Sequence, residues 1–104
     1  MDGDPIPMEA YRRIMTSQNV TVQNSRGIHL RPSSLIARAL RGYPGQVSVS
    51  GRDGLPHRIS ASPLVVLSLG LQCGDTILIQ VEGPDEGMKC AELAELFSKA
   101  YDFE

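Results

Sequence analysis

The chain has 104 residues, a net charge of −2 at neutral pH and an apolar fraction of 41%, which suits one soluble globular domain. That mild acidity argues against general nucleic-acid binding. No apolar run nears the ~20 residues of a membrane span, and the acidic start Met1-Asp2-Gly3-Asp4 is unlike a secretory leader. A cytoplasmic protein without membrane insertion is expected. Two cysteines, Cys73 and Cys90, and two histidines, His29 and His57, match no zinc-ligand spacing, so neither metal nor cofactor is expected. The cysteines read as reduced thiols, with a disulfide left open.

Pro5 and Pro7 keep the first residues extended or disordered. Met8 to Met15 suits a short helix with Glu9 and Arg13 paired at i,i+4. Residues 1–18 therefore read as an N-terminal extension and residues 19–104 as the domain. Val20 to Gln23 alternates apolar and polar, as a half-buried strand does, and Asn24-Ser25-Arg26-Gly27 is a turn. Pro32, Leu35, Ile36, Ala39 and Leu40 then recur at the spacing of one helical face. That helix ends near Arg41, with Gly42 as its stop.

Val47 and Val49 alternate with serines in a second strand, Gly51-Arg52-Asp53-Gly54 turns the chain, and His57 to Ser60 fits a third strand with His57 at the surface. Ser62 as N-cap, Pro63 at the first helical position and the apolar run Leu64 to Leu69 predict a second helix stopped by Gly70. Ile77, Ile79 and Val81 mark a fourth strand. Asp85 is placed to cap a last helix whose apolar stripe is Cys90, Leu93, Ala94, Phe97 and Tyr101. The order β-α-β-β-α-β-α predicts an α+β fold. It is an open-faced β-sandwich, with a four-stranded, mostly antiparallel sheet carrying three helices on one face.

The chemistry concentrates at Gly27-Ile28-His29-Leu30-Arg31-Pro32-Ser33. His29 falls at a helix N-terminus, where unpaired backbone N–H groups and the helix dipole attract anions. Histidine offers a neutral, nucleophilic ring nitrogen near neutral pH, and arginine binds phosphate oxygens bidentately. A phosphoryl group on His29, steadied by Arg31 and by the N–H groups of Leu30 and Arg31, is one reading. A plain helix-start histidine beside a solvated arginine is the other, and the spacing alone leaves both open. Arg26, Arg31, Arg38 and Arg41 form either a solvated helix face or a dock for an acidic protein.

From about Asn19 to Tyr101 the chain resembles HPr, the histidine-containing phosphocarrier family of the bacterial phosphoenolpyruvate-dependent phosphotransferase system. The resemblance rests on the His29 motif, where Leu30 replaces a usually smaller residue, and on Ser62-Pro63-Leu64-Val65-Val66-Leu67-Ser68-Leu69-Gly70, in the right order. It implies that His29 accepts a phosphoryl group on Nδ1 from phosphorylated enzyme I and passes it to an enzyme IIA domain, in sugar uptake or a regulatory branch. It also implies a docking patch at Leu64, Leu67 and Leu69, and a monomeric carrier rather than a turnover enzyme. Ser62 matches the serine that an HPr kinase/phosphorylase modifies in many members, although a helix N-cap accounts for it equally. A regulatory docking module with the same fold, controlled at Ser62 or not phosphorylated, stands as the alternative function.

Overall fold

A computed structural model describes residues 15–101, and its elements follow the anticipated order. They are β1 (Thr16–Thr21), α1 (Leu30–Ala39), β2 (Gln46–Ser50), β3 (Pro56–Ile59), α2 (Pro63–Leu67), β4 (Thr76–Glu82) and α3 (Glu86–Ser98). The strands form one sheet in the order β1-β4-β2-β3, and each adjacent pair is antiparallel. Cross-strand register places Thr16, Val81, Val47 and Ile59 in one row, and Gln18, Ile79, Val49 and His57 in the next.

Alternation then sorts the faces. Ile77, Ile79, Val81, Val47 and Val49 are buried under the helices, while the residues between them are half-buried or exposed. Ile36 from α1, Val66 from α2 and Leu93 and Phe97 from α3 close over them in a single core. Each such fully buried side chain contributes roughly 1.5–3 kcal/mol of hydrophobic stabilisation. The stripe Cys90, Leu93, Ala94, Phe97 and Tyr101 is buried as its spacing implied.

Three local readings need correction. The first strand runs over Thr16–Thr21 rather than Val20 to Gln23, so Thr16, Ser17 and Gln18 belong to the sheet. Second, Asp85 occupies the N-cap position of α3 but in left-handed backbone, φ 51°, and its carboxylate makes no cap bond. The neighbouring Glu86 closes that corner instead, accepting hydrogen bonds from Gly83 N–H at 3.2 Å and the Thr16 hydroxyl at 2.8 Å. Third, α2 spans only Pro63–Leu67, because the chain turns at Ser68 and Gly70 takes φ 65°. The helix anticipated from Met8 to Met15 and its Glu9–Arg13 pair lie outside the described residues, except for exposed Met15.

Candidate functional site

The segment between β1 and α1 is fastened to the loop that precedes β4. Val22 N–H donates to Asp75 O at 2.8 Å, Gly74 N–H to Val22 O at 2.8 Å, and Ile28 N–H to Leu71 O at 3.0 Å. Within the segment, Gly27 N–H closes the anticipated turn on Asn24 O at 2.8 Å. Gly27 takes φ 72°, and a Cβ there would stand 2.4 Å from Leu71 O. Glycine is therefore demanded twice, by the left-handed backbone and by the close approach. Buried Val22 and Ile28 tie the two ends of the segment to the core.

His29 is the N-cap residue of α1, with extended backbone at φ −88° and ψ −161°. Its carbonyl accepts the first helical bond, from Ser33 N–H at 3.0 Å, and its ring makes no cap bond back to the helix. The ring belongs to a half-buried residue. The amides at this helix opening are those of Leu30 and Arg31, since Pro32 carries none. The first turn holds no acidic side chain. Helix dipole and the backbone amides of the first turn thus act on an anion at the helix start in the same direction. His29 at the helix start and Pro32 in the first turn stand where the sequence pattern put them.

The other expected site residues are divided by the fold. Helix α2 packs beside α1, with Leu64 exposed at 71% and, on α1, Leu30 at 61%. Leu67 is half-buried, and Leu69 packs against the core. Only Leu64 of the three anticipated docking leucines is fully available. Ser62 is half-buried at the N-cap of α2, but its hydroxyl makes no cap bond; its carbonyl receives Val65 and Val66 N–H at 3.1 and 3.3 Å. Both cysteines are free, Cys73 exposed and Cys90 buried, and burial pushes the Cys90 thiol up.

Away from His29, a cleft of about 620 Å³ opens between the β2–β3 hairpin and α2, lined in part by Arg52, Asp53, His57, Val65 and Leu69. His57 Nε2 lies 2.7 Å from Asp53 Oδ2. The Leu55 amide and then His57 hold the Asp53 carboxyl below its ordinary value. Arg52 bridges to Asp75 at 3.0 Å. The Gln72 amide, then Arg52, keep the Asp75 carboxyl low as well. The Cys73-Gly74-Asp75 stretch reads from sequence as a turn and gives Asp75 no further role, yet its carbonyl accepts from Val22 N–H and its carboxylate from Gln72 N–H and Arg52. Among the described residues no His/Cys/Asp/Glu group could hold a metal, and no helix is long and apolar enough to cross a membrane.

This antiparallel open-faced sandwich has counterparts among known proteins, and they define its class. The family described as "PTS HPr component phosphorylation site" matches residues 16–99. The phosphocarrier protein HPr of Treponema pallidum is 30% identical over 91 residues, covering 86% of this chain and 100% of that protein. Its counterpart in Streptomyces coelicolor is 31% identical, covering 85% and 94%. The crystal structure of a phosphocarrier protein HPr from Bacillus anthracis superposes with a TM-score of 0.70 at 24% identity, covering 81% of this chain and 98% of that one. The chain belongs to the HPr family. It is a phosphotransfer carrier of the phosphotransferase system rather than a turnover enzyme.

Proposed function

We propose that His29 is the phosphoryl acceptor, taking the group from phosphorylated enzyme I and passing it to an enzyme IIA domain. A ring nitrogen, Nδ1 by family resemblance, attacks phosphorus as the bond to the donor's carrier group breaks, and the reverse exchange delivers the group onward. Transfer of this kind needs no general base beyond the neutral imidazole. It needs an acceptor held in line and a setting that tolerates the roughly two negative charges of a phosphoryl group. The observation that carries the reading is the N-cap position of His29 on a helix with no acid in its first turn. Arg31 and the Leu30 and Arg31 amides have the role of steadying the phosphoryl oxygens. Leu30 and Leu64 offer apolar ground for the partner, and the arginines of α1 favour an acidic one.

Incubation with enzyme I and phosphoenolpyruvate tests this. The expected result is an acid-labile phosphate on the wild type, none on His29→Ala, and discharge on adding an enzyme IIA domain. An unlabelled wild type with enzyme I from the same organism would overturn it in favour of a docking module. Regulation at Ser62 is supported by a hydroxyl not spent on a helix cap. Treatment with HPr kinase/phosphorylase and ATP, followed by mass mapping, removes that part if Ser62 stays unmodified.

A further inference from the structure

Asn24 is almost fully buried, at 1% exposure, in a turn whose next two residues, Ser25 and Arg26, are exposed. A buried carboxamide is costly unless both of its ends are bonded. Here both are. The Nδ2 group donates to Gly27 O at 2.8 Å, and Oδ1 accepts from the Tyr101 backbone N–H. The two partners, one a carbonyl and one an amide, leave a single orientation for the side chain.

The first bond closes the turn from within, two residues before His29. The second crosses the molecule to the segment that follows α3. Tyr101 is itself anchored, with 4% exposure and its hydroxyl donating to Leu96 O at 3.0 Å. It lies beyond residue 99, where the family match ends. The His29 segment is therefore pinned from two directions, by the loop before β4 through Ile28 and by the C-terminal segment through Asn24.

We infer that Asn24, braced by the Tyr101 amide, is a positioning residue for His29. It acts through the Gly27 carbonyl, fixing the backbone that aims the imidazole and the Leu30 and Arg31 amides at an incoming phosphoryl group. Its kinetic consequence rests on the reading of His29 as acceptor; its structural consequence does not.

The test compares Asn24→Ala, Asn24→Asp and a control, Val49→Ala, which opens the core in β2 away from the turn. Asn24→Asp retains the shape and the acceptor for Tyr101 but faces the Gly27 carbonyl with an oxygen. Two readouts are taken on full-length protein well below the unfolding transition. One is the rate of phosphorylation by enzyme I and phosphoenolpyruvate; the other is the NMR signals of the His29 ring and Leu30 amide. Both Asn24 variants should be phosphorylated about tenfold or more slowly, with those signals displaced. Val49→Ala should be less stable yet keep the wild-type rate and signals. If Asn24→Ala does not fold, Asn24→Asp alone carries the comparison. A wild-type rate with unmoved signals in Asn24→Asp, or equal slowing in Val49→Ala, overturns the inference. A wild type that takes no phosphate defeats only the function of His29, and the NMR signals then judge the positioning by themselves.

Discussion

His29 and His57 are the two histidines of the chain, and the backbones that carry them differ in kind. His29 follows a segment fixed by Ile28 N–H on Leu71 O and by buried Asn24 on Gly27 O, and it opens a helix of 10 residues. Its ring is left without a cap bond. His57 stands on edge strand β3, exposed, with Nε2 committed to Asp53 at 2.7 Å. The proposed acceptor role calls for the first arrangement, a fixed backbone under a ring not spent on a helix cap. A hydrogen-bonded pair on an exposed hairpin needs only the second, and exposed pairs of that sort contribute little to stability. On the proposed reading of His29, the contrast teaches that position in the fold, not the residue type, sets a phosphoryl acceptor apart from a surface histidine.

The sharpest way to break the contrast is to exchange the losses. His29→Ala should abolish uptake of phosphate from enzyme I, while His57→Ala should leave it at the wild-type rate. The same labelling assay reads both, and equal loss in the two variants would erase the distinction.

The rigidity of the His29 base is open to a second attack at Gly27. Gly27→Ala adds a Cβ 2.4 Å from Leu71 O as well as left-handed strain, whereas Gly42 takes φ 76° with open space around it. Gly42→Ala should cost about 1 kcal/mol, and Gly27→Ala about 2 kcal/mol or more, with slowed phosphorylation. Urea unfolding of the two variants side by side gives the difference; equal midpoints would mean that the turn is not tightly held.

Acid provides a gentler probe. The Asp75 carboxyl lies below its ordinary 3.8 because the Gln72 amide and Arg52 favour the ionised form. Its stabilising effect is therefore complete above the unfolded value. It is lost as pH falls through the lower, folded one. Asp75→Asn should be less stable at neutral pH and should lose less further stability below about pH 4 than the wild type. Urea midpoints across that range check the slope, and parallel curves would contradict the assignment.

The smallest effect concerns Asp53. His57→Ala should let the Asp53 carboxyl rise part of the way to 3.8, staying below it because the Leu55 amide, the larger cause, remains. An NMR titration of Asp53 measures the step. No change would show that the 2.7 Å contact carries no weight in solution.

Much of this architecture could be read from local pattern. The turn at Asn24–Gly27, Pro32 in the first helical turn, the valines of β2 and the stripe on α3 each carry a periodicity or a turn chemistry that tertiary packing preserved. The misread places share a physical cause. β1 is an edge strand whose inward positions include Thr16 and Gln18, so no apolar alternation marks its start. Val22, which suggested a longer strand, is buried just after β1 through backbone bonds to Gly74 and Asp75. In the run Leu64 to Leu69 five of the six residues are apolar, so composition cannot say which leucine faces out. Asn24 was legible as a turn residue but not as a tie to Tyr101, because that bond spans 77 positions.

The most direct test of the central claim is to phosphorylate the full chain with enzyme I and phosphoenolpyruvate, then locate the phosphorus by NMR under alkaline conditions that preserve phosphohistidine. The account predicts a single phosphoryl group bonded to Nδ1 of His29. Phosphorus on His57 or on Ser62, with the His29 ring unmodified, would contradict it.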